Sequence, residues 1–281
     1  MSQEIENLIR EKISDLKIIG VISRSADSSK TKVYAVGGFV RDIILNRERN
    51  DLDILVIGSG TDFARNVAEE LGIVNVSYFK NFGTAHFEYQ GMNIEFVGAR
   101  KESYDRNTRK PIVEDGSFDE DISRRDFTIN TLAISLNNDE FGKLIDTYDG
   151  ISAIQSKIIK TPLDPFHTFD DDPLRIMRAF RFASQLNFNV DESIMIAAND
   201  MKERLSIVSQ ERITDEFLKI LATNKPSIGL KLLFDSNVLD IVFPEISIMS
   251  GVDQRKDYHH KDVFLHTLQV VDNICKETEN V

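Results

Sequence analysis

Tryptophan is absent, cysteine occurs once (Cys275), and proline appears only six times in 281 residues. A single cysteine excludes an intramolecular disulfide and points to a reducing compartment. So few prolines exclude a collagen-like or proline-rich extended chain. Basic residues are the scarcer charge: 34 Lys and Arg stand against 46 Asp and Glu, a net charge of −12. Non-specific binding of nucleic acid requires cations that neutralise phosphate, so this chain could bind RNA only through a local basic surface. No run approaches the ~18 apolar residues of a membrane span. The opening Met1-Ser2-Gln3-Glu4 begins a charged segment without a signal-peptide core. These absences predict a soluble, cytoplasmic protein, with no membrane association and no protein partner evident.

The remaining composition, 41% hydrophobic and 28% charged, is that of a globular protein. At ~150 residues per domain, the length suggests about two domains. Ile5, Leu8, Ile9, Ile13 and Leu16 recur at helical spacing, so the chain opens with an amphipathic helix. After the Ser/Asp/Lys stretch at 23–32 the pattern changes. Strands are expected at 33–36, 51–57, 74–79, 84–89 and 92–97, the last two forming a hairpin about Gln90-Gly91. Helices are expected at 39–46 and 61–71, a long loop at 100–121, and short strands at 145–148 and 158–161. Beyond Pro162 the strand signals stop. Helices then follow at 173–186, 192–204, 209–222, 226–235 and 258–277. Strands mixed with helices, then helices alone, predict an α+β fold: a mixed sheet with helices, followed by an all-α region.

Two glycines, Gly37 and Gly38, stand between a strand and a helix, ahead of Arg41. Such a turn lets the backbone approach a ligand closely, and Arg41 can fork onto a phosphate. Alone, it is more often only a turn. Asp51 and Asp53 point to the same strand face, side by side at the mouth of the apolar run Ile54-Leu55-Val56-Ile57. Paired carboxylates of this kind can hold Mg²⁺ ions, which prefer oxygen ligands and substrate phosphates. Glu95, alternating with apolar neighbours, is a candidate third metal ligand; an ordinary exposed strand position explains it equally well.

The Gly-Gly-x-Val-Arg-Asp turn with Asp51-Leu52-Asp53 resembles motif A of the bacterial tRNA nucleotidyltransferase/poly(A) polymerase family, the class II CCA-adding enzymes. Four further segments match in the family's order. Arg124-Arg125-Asp126-Phe127-Thr128-Ile129-Asn130 resembles motif B. On a helix Asp126 and Asn130 share a face and suit ribose hydroxyls, while Arg125 can reach a triphosphate. The family usually has Ala where Thr131 stands. Ile145-Asp146-Thr147-Tyr148-Asp149-Gly150 resembles motif C, and Ser209-Gln210-Glu211-Arg212-Ile213 resembles motif E, read here as structural, with an Arg212–Glu216 pair.

Asp171-Asp172-Pro173-Leu174-Arg175-Ile176-Met177-Arg178-Ala179-Phe180-Arg181 resembles motif D, beginning with Asp171 where Glu is usual. Asp172 is a candidate N-cap before Pro173. The resemblance implies that Asp172 and Arg175 read the incoming base. Cytosine and adenine each present an amino donor beside a ring-nitrogen acceptor, which suits a carboxylate and a guanidinium. Uracil and guanine reverse that pattern. Arg178 and Arg181, one and two turns on, can meet phosphates or support the row; a capped helix with solvated arginines is the plainer alternative. Tyr104, Arg106, Arg109 and Lys110 lie in a loop resembling the segment that CCA-adding relatives use to switch from C to A. Across 175–231 nine basic residues face seven acidic ones, so a local RNA track is possible despite the acidic whole.

Tyr258 to Leu268, with His259, His260, Asp262 and His266, resembles the opening of an HD domain whose remaining metal ligands do not follow. The resemblance therefore implies a C-terminally truncated member. Its parts would be a nucleotidyltransferase head at 1–162, a helical neck for base recognition and RNA binding at 163–245, and the start of an incomplete HD-like domain at 246–281. The implied activity is Mg²⁺-dependent, template-independent addition of CMP and AMP from CTP and ATP to the tRNA 3′ end. Alternatives are a poly(A) polymerase, a partial CC- or A-adding enzyme, or, in another class, a non-catalytic RNA- or nucleotide-binding module. An HD phosphohydrolase is disfavoured by the absent His-Asp pair.

Overall fold

The computed structural model describes residues 2–48, 50–79, 83–103, 112–252 and 262–277. The chain divides into two compact units, the first running to Ile154 and the second from Gln155 onward.

In the first unit the elements are α1 (Ser2–Ser14), α2 (Lys17–Ser29), β1 (Val33–Val36), α3 (Gly38–Ile44), β2 (Asp51–Val56), α4 (Gly60–Leu71), β3 (Ser77–Phe79), β4 (Thr84–Tyr89), β5 (Met92–Gly98), β6 (Arg100–Ser103), β7 (Ile112–Asp115), α5 (Phe118–Ser123), β8 (Ala133–Ser135), β9 (Leu144–Ile145) and α6 (Gly150–Ser156). Seven strands form one mixed sheet in the order β3-β4-β5-β2-β1-β8-β9. The β2–β5 pair is parallel and the others are antiparallel. The predicted α+β fold is therefore present.

Alternation explains the sheet's two faces. In β2 Leu52 and Ile54 are buried, while Asp51 is exposed and Asp53 partly so. On the side of Ile94 and Phe96, α4 inserts Phe63, whose ring lies 6.0 Å from Phe96. Ser59 caps α4 by accepting the Asp62 N–H. Gly60 and Gly98 let α4 approach β5: a Cβ on Gly60 would lie 2.5 Å from the Gly98 nitrogen. A second buried cluster joins Tyr34, Val36, Leu55, Ala99, Ile122 and Ala133, with the Phe118 ring tilted 47° to that of Tyr34 at 4.6 Å. The β4–β5 hairpin turns at Gln90 and Gly91, both at positive φ (54° and 78°), as the right-handed strand twist favours.

Several expectations need correction. The polar stretch at 23–32 is helical as far as Ser29, where it completes α2, a helix that periodicity did not reveal. Ile18, Ile19, Val21 and Ile22 anchor that helix in the core, and the Ser28 and Ser29 hydroxyls donate to carbonyls four residues back. The expected strand at 74–79 shortens to β3, with Val74 exposed. The 100–121 loop is bounded by the paired strands β6 and β7, and then by α5, whose Ser117 and Glu120 form a reciprocal cap. Tyr104, Arg106, Arg109 and Lys110 lie outside the described residues. Residues 124–130 do not form an α-helix. Phe127 is extended and only a 3₁₀ turn, Thr128–Asn130, follows before the unforeseen strand β8.

The second unit continues with β10 (Ile158–Ile159), α7 (Pro165–Asp171), α8 (Leu174–Leu186), β11 (Asn189–Val190), α9 (Glu192–Met201), α10 (Gln210–Leu221), α11 (Pro226–Asp235), α12 (Leu239–Val242), α13 (Pro244–Ser247) and α14 (Val263–Glu277). α8 is the central helix, with α10 and α11 packed on it. Gly229 makes the α11 contact possible: its N–H donates to Ser184 Oγ at 2.7 Å, where any side chain would collide. Strand signals do not wholly stop after Pro162, because β10 pairs in parallel with β11. α7, α12 and α13 are further helices that periodicity did not reveal. His259 and His260 lie outside the described residues. Asp262 caps the start of α14 by accepting the Leu265 N–H, and His266 sits within that helix. No helix among the described residues is long and apolar enough to cross a membrane.

Candidate active site

β2 carries Asp51 and Asp53 on the more exposed face of the sheet. The parallel register sets Glu95 of β5 beside Asp53 and Asn93 beside Asp51. Asn93 Nδ2 donates to Asp51 Oδ1 at 3.0 Å. Burial pushes the Asp53 carboxyl up from 3.8 to about 6; Arg125 pulls it down, Glu95 and Asp51 push it further up, and Arg41 pulls it down more weakly. The sheet thus concentrates negative charge that two arginines only partly offset. No group of three or more His, Cys, Asp or Glu side chains among the described residues is drawn together as a ready metal cage. The donors on offer are nevertheless all hard carboxylate oxygens, and they carry surplus charge, which is the chemistry a small divalent cation selects.

The Gly37-Gly38 turn lies at the end of β1, as expected. Gly37 has φ 74°, and a Cβ there would stand 3.0 Å from Arg125 Nη1 and 3.4 Å from Asp53 Oδ2. Only glycine therefore lets backbone, guanidinium and carboxylate converge. Arg41 is almost wholly buried. Its Nε and Nη2 donate to Asp42 Oδ1 and Oδ2, both at 2.9 Å, and its Nη1 donates to Asn130 Oδ1 at 2.8 Å. Asn130 Nδ2 in turn donates to Asp126 Oδ1, as does the Phe127 N–H, each at 2.9 Å. Asp126 and Asn130 do meet, but through the 3₁₀ turn and with Arg41 as a third member. Asp42, Asn93 and Asp121 are additions that sequence reasoning missed. Asp121 carried a usable signal, since it stands three and four residues before Arg124 and Arg125, the spacing of neighbours on a helix.

In the second unit Asp172 has extended backbone (φ −141°) and its Oδ1 accepts the Leu174 N–H at 3.1 Å. It acts as a capping side chain, while Pro173 itself occupies the N-cap position. Arg175 is buried, with Nη1 donating to the Thr168 carbonyl at 3.4 Å. Arg181 donates through Nε to Glu216 Oε2 at 2.6 Å and lies 4.1 Å over the Phe182 ring. Arg178 Nη1 is 4.0 Å from Glu216 Oε1. Glu216, expected to pair with Arg212, instead serves this arginine row. Arg212 Nη2 lies 3.8 Å from Asp172 Oδ2.

This arrangement, with paired acids on a strand and a glycine turn opposed by an arginine, suits chemistry on a phosphate ester. Comparison with known proteins agrees. A profile described as "Poly A polymerase head domain" matches residues 33–160, and one described as "Probable RNA and SrmB- binding site of polymerase A" matches 187–249. An A-adding tRNA nucleotidyltransferase of Aquifex aeolicus is 45% identical over 162 residues, 58% of this chain and 19% of that protein. The tRNA nucleotidyltransferase cca2 of Schizosaccharomyces pombe is 33% identical over 264 residues, 86% of this chain and 53% of that one. A solved structure titled "tRNA-processing enzyme (apo form 2)" superposes with a TM-score of 0.72 at 31% identity, covering 92% of this chain and 67% of that one. The chain belongs to the tRNA nucleotidyltransferase/poly(A) polymerase family. It spans about half the length of the yeast relative and about a fifth of the Aquifex one.

Proposed function

We propose that this chain transfers nucleotides without a template to the 3′ end of tRNA, adding C and A from CTP and ATP. The observation that carries the reading is the convergence of Asp53 and Arg125 on the Gly37 turn, with Glu95 beside Asp53 in the sheet. The 3′-oxygen of the RNA attacks the α-phosphorus, the bond to pyrophosphate breaks, and the hydroxyl proton is lost. Asp51 and Asp53, with Glu95, would hold Mg²⁺, which when bound favours the ionised hydroxyl and stabilises the leaving group. Gly37 and Gly38 give the triphosphate a close backbone surface, and Arg125 supplies a charged fork. Arg41 fixes Asn130, so that Asn130 and Asp126 can face the ribose.

In the second unit Asp172 accepts from the amino group of cytosine or adenine and Arg175 donates to the ring nitrogen. Uracil or guanine would leave both groups unpaired, which discriminates strongly in a tight site. Arg178 and Arg181, gathered by Glu216, support that row. We divide the chain by function near 162 and 245, into head, base-reading and RNA-binding neck, and an HD-like start; the matched segments 33–160 and 187–249 favour this division. A second reading, addition of A alone, is favoured by the 45% identity to the Aquifex A-adding protein.

The test is incorporation of each of four labelled nucleoside triphosphates into tRNA ending before, one into, or two into the terminal cytidines. Successive C, C and A, with U and G refused, supports CCA addition; A alone on the last substrate supports the second reading. A long A tail would reassign the chain as a poly(A) polymerase. Transfer that survives Asp51→Asn would overturn the catalytic assignment.

A further inference from the structure

Asp121 sits in the middle of the short helix α5, held there by the Ser117–Glu120 cap before it and by Ile122, buried against Tyr34, Leu55 and Ala133. Its side chain is only 1% exposed, yet it bears two guanidinium groups. Arg124 Nη2 donates to Oδ1 at 2.6 Å and Arg125 Nη2 donates to Oδ2 at 3.2 Å. One buried carboxylate is thus shared by two guanidinium groups. The other terminal nitrogen of Arg125, Nη1, lies 3.0 Å from where a Gly37 Cβ would stand, and Asp53 Oδ2 lies 3.4 Å from the same point. The Arg125 Nε is buried without a hydrogen-bond partner among the described residues.

We propose that Asp121 is a positioning residue. It tethers one edge of Arg125, so that the guanidinium receives the triphosphate rather than closing as an ion pair on Asp53. The inference rests on the nucleotidyl-transfer reading above. An untethered Arg125 has a strong alternative, because Asp53, Glu95 and Asp51 form the most negative ground within reach. A cation that collapsed there would occupy the carboxylates and leave the β- and γ-phosphates without their fork. A tether on a rigid, capped and core-anchored helix prevents that collapse. It does so at a position four residues before the arginine, so that sequence spacing and tertiary placement act together.

The test is equilibrium binding of ATP and CTP, against AMP and CMP, to the whole chain in Mg²⁺. Asp121→Asn keeps the shape but removes the charge. Expected is a loss of about tenfold in triphosphate affinity, the scale of one charge-assisted hydrogen bond, with monophosphate affinity retained. In an Arg125→Ala background the same change should have no further effect. An equal loss for triphosphates and monophosphates, or a loss that adds to that of Arg125→Ala, would show that Asp121 merely holds the fold and would overturn the proposal. If circular dichroism shows D121N unfolded, Asp121→Glu, which keeps the charge but moves the carboxylate by a methylene, replaces it: a selective fall in triphosphate affinity that vanishes in the Arg125→Ala background supports the tether, and an equal fall for monophosphates or no fall at all overturns it. Wild-type chain without nucleotide affinity would overturn the parent reading and this one with it. Wild-type binding that D121N leaves unchanged would overturn the tether alone.

Discussion

Replacing Asp53 by asparagine separates what this carboxylate costs the fold from what it contributes to chemistry. Its carboxyl titrates at about 6 in the folded chain against an ordinary 3.8, chiefly because burial disfavours the charge and Glu95 and Asp51 repel it. About two pKa units correspond to ~3 kcal/mol of folding stability. The sign follows from proton counting. Below about pH 4 the group is protonated in both folded and unfolded chains, and no cost exists. Between about 4 and 6 the folded chain holds the proton more tightly, so stability falls as pH rises. Above about 6 both forms are ionised and the full cost stands. Asp53→Asn lacks this loss. Without divalent metal, the variant should match wild type near pH 4 and exceed it by up to ~3 kcal/mol near pH 7.5, while losing transfer activity. Added Mg²⁺ should stabilise wild type and leave the variant unmoved. Urea unfolding followed by far-ultraviolet circular dichroism suits the measurement, because the chain has no tryptophan for a fluorescence probe. A variant no more stable than wild type at pH 7.5 in EDTA, or a difference constant across pH, would refute the reasoning.

Gly37→Ala forces a side chain into positive φ, at ~1–2 kcal/mol or more, and crowds Arg125 and Asp53; the nucleotide KM should rise at least about tenfold, and an unchanged KM would remove the turn from the site. Asp172→Asn replaces an acceptor pair by an acceptor and a donor, so the ratio of kcat/KM for CTP over UTP should shrink; an unaltered ratio would discharge Asp172 from base reading. Glu216→Ala removes the buried carboxylate shared by Arg181 and Arg178 and should cost ~3–5 kcal/mol in urea unfolding, whereas a loss under 1 kcal/mol, the range of a surface pair, would show the row to be solvated.

Strands were legible wherever a short apolar run was bounded by turn residues, as in β1, β4 and β5, because such runs have few other ways to be buried. The carboxylate site was legible for the same reason. Period-two alternation places Asp51 and Asp53 on one face whatever the sheet order. Glu95 needed the parallel β2–β5 register, which no local pattern specifies. α2 was hidden because serine and aspartate favour caps and turns by bonding to nearby backbone, yet here Ser28 and Ser29 bond back to their own helix and the buried isoleucines supply the stability. The 124–130 segment shows the reverse error. Asp126 and Asn130 were read as helix neighbours, and they do touch, but the pairing comes from a 3₁₀ turn organised by a buried arginine from α3. Spacing identified the partners correctly while assigning the wrong backbone.

Charge placement carries the argument from composition to site. An acidic chain was expected to confine any cation-dependent contact to a local surface, and the arginines have been drawn inward to make such places. Arg41 and Arg175 are buried, and Arg125, Arg178 and Arg181 are each held by a carboxylate within their own unit. Each pairing lowers the entropy lost when a phosphate or base arrives, since the side chain is already fixed. Each also removes charge that would otherwise attract nucleic acid indiscriminately. The arrangement therefore gives up general RNA affinity for fixed geometry at the nucleotide. It follows that removing the charge of Asp121 or Glu216 should lower affinity for the correct triphosphate, while the more positive chain binds non-specific RNA slightly better. Filter binding of a random single-stranded RNA, run beside the nucleotide titrations on the same variants, measures that exchange. A parallel fall in both would show that these acids serve the fold alone.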